Sequence, residues 1–283
     1  MANTAAVATN FSGLHQDFSV VPHISDSVIV DYWDERASSY SCCVCGELEG
    51  EKYADWARVL EQHSAVARRK AESAGRVPRV LDLGCGPGFF SILFARMACK
   101  VDAVDSSDGM LKQAYENNRR AHTVQNVAFH NADIAKLPFA ADTFDVVVLR
   151  NVTWLMTDPR SAYEEWQRVL VPGGKLIVFD ANWYHYLVDP VVDAQRLLNE
   201  AAAGFERVEV NGHASDDQET RCEEIALALP STYLPRPGWD VKALGQLGFA
   251  HISSNEDVWQ TVWTEEEQSF YGASPLFLIE ATK

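Results

Sequence analysis

VLDLGCGPGFF, Val80 to Phe90, opens as a buried strand and then places Gly84, Gly86 and Gly88 within five residues. No side chain blocks the backbone through that turn, and glycines this close together cost conformational entropy that a plain turn does not need. The apolar run FFSILFARMAC, Phe89 to Cys99, reads as a helix that begins at the turn. Strand, glycine turn and helix together hold a nucleotide-like ligand at the carboxyl end of a parallel sheet. N–H groups at the helix start suit a carboxylate or a phosphate. The third glycine comes one residue earlier than in the dinucleotide pattern G-x-G-x-x-G, and Asp82 stands inside the strand. The early glycine, together with Asp133 downstream, counts against a nicotinamide-dependent dehydrogenase, which would share the sheet.

Strands and helices alternate downstream of this turn. Val101 to Val104 reads as a second strand ending in Asp105, about 20 residues past Gly84, where a carboxylate accepts both hydroxyl protons of a ribose. The competing role, a helix N-cap, falls better to Ser106, Ser107 or Asp108. Val127 to His130, Phe144 to Leu149 and Lys175 to Phe179 read as further strands. Asp158 and Pro159 form a helix start, and Asp240 is placed to cap Val241 to Leu247. Phe249 to Ser253 and Pro275 to Ala281 supply the last two strands. Upstream, Lys52 to Ala74 reads as a helix with Tyr53, Trp56, Leu60, His63 and Ala67 near one face. The first ~25 residues read as extended or mobile.

Composition narrows the partners. The chain has 283 residues, 47% of them apolar, and a net charge of −16. That acidity argues against nucleic acid and against an anionic membrane surface. No apolar run reaches spanning length. No Lys or Arg precedes Arg36, so no signal peptide is expected. The six cysteines form no regular framework, which points to reduced thiols in a cytoplasm. CCVC, Cys42 to Cys45, lacks a matching second pair, so no metal is expected. The sequence leaves a homodimer open.

The string DLGCGPG, with Asp105, the segment NADIAKLPF (Asn131 to Phe139) and RVLVPGGKLIVFD (Arg168 to Asp180), resembles class I S-adenosylmethionine-dependent methyltransferases, and within them the ubiquinone/menaquinone small-molecule branch. The resemblance covers residues 79–181 well and 238–283 loosely. It implies an α/β Rossmann-like, doubly wound sheet of seven strands in the order 3-2-1-4-5-7-6, the last antiparallel. An N-terminal extension and helical lid would occupy residues 1–75, the core 76–185 and 238–283, and an inserted helical cap 186–237. The implied cofactor, S-adenosylmethionine, would meet Asp82, Gly84, Gly86 and Gly88 at the turn, then Asp105, Ser106 and Met110. Asp133 and Ile134 would flank the adenine, while Tyr40 and Arg150, with Asn151, would reach the methionine end.

The acceptor is expected between Tyr32–Tyr40, Arg150–Met156 and Trp183–Tyr186, under helices at Pro190 to Ala203 and Asp216 to Leu229. Thr153, Trp154 and Met156 are candidates for its walls. A hydroxyl or amine acceptor would want a base, and His185, then Tyr184 or Tyr186, are the candidates. A thiol or stabilised carbon would need none. Two alternatives remain: a thiol- or metalloid-directed enzyme using Cys42, Cys43 and Cys45, and a non-catalytic protein that only binds the cofactor.

Overall fold

Phe144–Arg150 (β4) is buried at every residue but its last, which is how a strand covered on both faces should read. It lies at the centre of one sheet with β1 (Arg79–Leu83), β2 (Lys100–Asp105), β3 (Val127–Asn131), β5 (Leu170–Asp180), β6 (Ala250–Asn255) and β7 (Phe277–Thr282). The computed structural model describes residues 24–50, 52–203 and 214–283, and within them the strand order is β3-β2-β1-β4-β5-β7-β6. β1 to β5 run parallel, and β7 is antiparallel to both β5 and β6. This is the Rossmann-like order that the family resemblance implies. The expected extended stretch at the N-terminus lies, up to residue 23, outside the described residues.

Helices cover both faces. Helix α3 (Phe89–Arg96) buries Phe89 to Ala95 against the sheet. It stops three residues earlier than its apolar run, because the chain turns at Ala98 with φ 60°. On that side Trp56 of α2 (Lys52–Ser73) meets Phe89, Phe90 and Phe179 edge-on, with ring centroids 5.1–6.3 Å apart. On the other face Trp166 and Tyr163 of α5 (Pro159–Val169) are fully buried, and Asp158 caps that helix by accepting from the Ser161 N–H at 3.1 Å. The expected turn at Pro172 to Gly174 is instead an irregularity inside β5, where the register against β4 shifts and Gly173 takes φ +78°.

Helix α1 (Asp26–Glu49) is longer than its aromatic segment suggests and takes in CCVC. It packs across α4 (Asp108–Arg120), where the Asp34 carboxylate accepts from the Gly109 N–H at 2.9 Å and from the Ser107 hydroxyl. Helices α6 (Pro190–Ala203) and α7 (Asp216–Leu227) follow β5. Asp240 is no helix cap. Helix α8 (Gly238–Gln246) begins after Pro237, and the Asp240 carboxylate turns inward to the Tyr163 hydroxyl and Arg236, which are stronger partners than a backbone N–H.

The glycine turn is tightest at Gly84, where φ is +59° and a Cβ would lie 2.5 Å from Val152 Cγ2. Gly84→Ala is therefore expected to destabilise the fold by about 2–4 kcal/mol, summing left-handed backbone strain and overpacking. Thermal unfolding checks this, and an unchanged Tm would mean that the Val152 loop yields.

Candidate active site

Two cavities open at the carboxyl edge of the sheet. The smaller, about 420 Å³, lies over β1, β2 and β4. Gly84, Gly86, Asp105, Ser106 and Met110 line one side of it. Asp105 Oδ2 accepts from the Gly86 N–H and Oδ1 from the Ser107 N–H, both at 2.9 Å. Burial pushes this carboxyl up to about 6, against the pull of those N–H groups. Asp133 and Ile134 line the next wall. The Asp133 carboxylate accepts from the Ala135 N–H at 2.8 Å in an Asx turn, and the Trp166 indole donates to the Ile134 carbonyl at 2.9 Å, which pins the loop.

Asp82 and Gly88 line neither cavity. Asp82 is buried beneath the turn and accepts from the Ser91 hydroxyl at 2.5 Å; burial raises its carboxyl to about 7. Gly88 precedes α3 at φ +89°, where a Cβ would stand 2.7 Å from Asn118 Nδ2. Both shape the turn from behind.

The larger cavity, about 620 Å³, shares Trp33, Tyr40, Arg150 and Asn151 with the smaller one. Arg150 lines both cavities and is paired with Glu47. Its Nη1 and Nη2 donate to the two Glu47 oxygens at 3.1 and 2.8 Å, and its guanidinium lies 4.5 Å from the Phe89 ring centroid. Lys52 bridges Glu47 at 3.0 Å and Glu267 at 2.7 Å. Burial opposes the charge on Glu47, yet Arg150 and Lys52 hold its carboxyl below the usual range.

Trp154, Trp183, Tyr184 and Tyr186 line the larger cavity, with α6 and α7 contributing Glu200 and Cys222. Met156 faces the smaller cavity, and Thr153 lines neither because its hydroxyl is bonded inward to Asp180. His185 also lines neither, which corrects its expected place as base. A one-turn helix, His185–Leu187, turns it opposite to Tyr184 and Tyr186, and its Nδ1 lies 2.9 Å from the Thr232 carbonyl. Tyr184 reaches the cavity, but burial and then the nearby Cys222 drive its phenol well above the ordinary value. Its hydroxyl lies 3.0 Å from Cys222 Sγ. It is no base at neutral pH.

The CCVC thiols diverge. Cys42 is exposed and donates to the Ser38 carbonyl, Cys43 lines the larger cavity, and Cys45 reaches Asn117. Among the described residues no group of three His, Cys, Asp or Glu side chains could hold a metal. Sequence reasoning missed Glu47, Lys52 and the wall supplied by helix α9 (Glu265–Tyr271). The aromatics Trp263 and Tyr271 in an acidic connection were the available signal.

The smaller cavity fits a sulfonium nucleoside. Asp105 suits a ribose, and Met110 with Ile134 offers an apolar slot for a flat base. Where the cavities meet, Asn151 Oδ1 and Trp33 Nε1 are buried with no hydrogen-bond partner among the described residues. The ammonium and carboxylate of an amino-acid end would satisfy an acceptor and a donor respectively.

Fold, turn and Asp105 together define a class, and the chain belongs to it: the class I S-adenosylmethionine-dependent methyltransferases. Residues 81–178 match the family described as Methyltransferase domain. The ubiquinone/menaquinone biosynthesis C-methyltransferase of Shewanella woodyi is 32% identical over 179 residues, which cover 56% of this chain and 69% of that protein. The demethylmenaquinone methyltransferase of Clavibacter sepedonicus is 32% identical over 170 residues, 55% of this chain and 66% of that protein. The matches span 46–66% of the first three curated relatives. Among solved structures, the (4+2)-cyclase SpnF shares the fold with a TM-score of 0.54 at 15% identity, covering 93% of this chain and 98% of that one.

Proposed function

We propose that this chain transfers a methyl group from S-adenosylmethionine to a small, partly aromatic acceptor by in-line displacement. The observation that carries the reading is the shared wall: a nucleoside-sized cavity and a second, aromatic one meet at Trp33, Tyr40, Arg150 and Asn151. Bound there, the cofactor supplies an activated methyl on a sulfonium. The chain's own contribution is positioning. Asp105 orients the ribose, Asp133 and Ile134 hold the adenine, and Asn151 with Trp33 holds the amino-acid end. Tyr40 and Trp33, on helix α1 as a lid, close the site and exclude water. Helices α6 and α7 act as a cap that recognises the acceptor. With His185 outside the cavities and Tyr184 firmly protonated, an acceptor whose attacking atom carries no proton to be removed fits best. No helix among the described residues is long and apolar enough to cross a membrane.

Incubation with labelled S-adenosylmethionine and fractionated cell extract tests the activity: label should enter small molecules, and none entering any fraction would sink the reading. Trp183→Ala should then lower turnover about tenfold or more while cofactor affinity stays within a few-fold. If calorimetry instead shows cofactor binding lost with the saturated rate spared, the indole belongs to the cofactor's site.

A further inference from the structure

Asp180 ends β5 beside the larger cavity with its side chain fully buried. Its Oδ1 accepts from the Ala181 N–H at 2.8 Å and from the Trp183 indole N–H at 3.0 Å. Its Oδ2 accepts from the Trp154 N–H at 2.9 Å and from the Thr153 hydroxyl, and Arg236 Nη1 stands 3.5 Å away. Arg236, from the end of the inserted segment, is buried too. Its Nε reaches both Asp240 oxygens at 2.9 and 3.2 Å, and its Nη2 donates to Thr153 Oγ1 at 2.5 Å.

Burying a carboxylate is costly unless its acceptor sites are filled and a cation is near. Both conditions hold here, and no neutral side chain offers as many acceptor sites. What the carboxylate achieves is specific. It ties the Trp183 side chain and the Trp154 backbone to one point, and both tryptophans wall the larger cavity. Trp154 in turn lies 4.8 Å from Tyr184, centroid to centroid, and Trp183 lies 5.6 Å from Tyr271. One group therefore sets aromatic walls on two sides.

We infer that Asp180 is the positioning residue of the acceptor cavity, fixing Trp183 and Trp154 together, with Arg236 of the inserted segment as its neighbouring cation. This rests on the larger cavity being the acceptor's. Asp180 acts through the tryptophans, so that the walls stand in one arrangement before the acceptor arrives. The cap thus contributes a buried cation to the site as well as a roof.

Asp180→Asn in the full chain tests this. The amide has the same shape, and Arg236 keeps Asp240, so no cation is stranded. Either orientation of the amide sets its NH₂ against donors: the Trp183 and Ala181 N–H groups, or the Trp154 N–H and the Thr153 hydroxyl beside Arg236. Three results are expected. Calorimetry with S-adenosylhomocysteine stays within about twofold, because the residue is outside that cavity. In ¹⁵N spectra, with resonances assigned by single Trp→Phe changes, the Trp183 indole or the Trp154 backbone amide shifts. In a dilution series of the methyl-accepting extract fraction, the half-saturating amount rises about tenfold while the saturated rate falls far less. Tyr163→Phe removes a bond from the same network without touching either tryptophan, and should lower stability without moving half-saturation. Should the amide variant not fold, Trp183→Phe should reproduce the rise in half-saturation. Unmoved Trp183 and Trp154 resonances, or an unmoved half-saturation, would overturn the assignment. If the unaltered protein labels no fraction, the methyl-transfer reading fails, and the two resonances still decide for or against Asp180.

Discussion

Asp105→Ala is expected to weaken S-adenosylmethionine binding by about 2–4 kcal/mol, on the order of 30- to 1,000-fold. Two charge-assisted hydrogen bonds to the ribose would go, partly replaced by water. The same carboxylate also accepts from the Gly86 and Ser107 N–H groups, so its loss loosens the turn that shapes the cavity and pushes the effect toward the upper end. Asp105→Asn should be milder, since an amide keeps one acceptor. Burial raises this carboxyl to about 6, so its anionic fraction falls as the pH drops from 7 to 5. The anion is the better acceptor for ribose hydroxyls. Affinity should therefore fall over that range in the unaltered protein and change less in Asp105→Asn. Calorimetry at both pH values checks this, and an affinity indifferent to Asp105→Ala would place the ribose elsewhere.

Arg236→Met should cost about 3–5 kcal/mol of stability, the usual consequence of removing one partner from a buried ionic cluster. Arg236 is the cation between Asp180 and Asp240, each of which is almost wholly buried. Burial raises the Asp180 carboxyl, and Arg236 is the largest influence holding it down. Without Arg236 the folded-state value rises further above the unfolded one, so the folded protein binds more protons than the unfolded chain. Stability then increases as pH falls, and the deficit at pH 5 should be smaller than at pH 7. Denaturant unfolding at the two pH values measures it. An equal deficit at both would mean that no uncompensated carboxylate is left behind.

The elements of the core follow from features a chain carries locally. A short β-branched apolar run such as Val146 to Leu149 suits an inner strand, as β4 shows, and three close glycines mark a tight turn. Asp105 follows from counting residues past that turn, because strand, turn and helix have nearly fixed lengths. The alternation of strand and helix was legible for the same reason, while the order of the strands came from the family resemblance. Side-chain direction was not. His185 and Tyr184 are neighbours, and the phase of a one-turn helix alone turns one to the Thr232 carbonyl and the other to the cavity. Asp82 is acidic and beside the glycine turn, yet Ser91 draws it inward. Arg150 stands where a cofactor's carboxylate would be met, but Glu47, more than a hundred positions earlier, claims its guanidinium. The link from Asp180 to Arg236 spans the whole insertion. Charges that are buried must find partners wherever the packed chain offers them, and only the tertiary structure decides which distant residue that is.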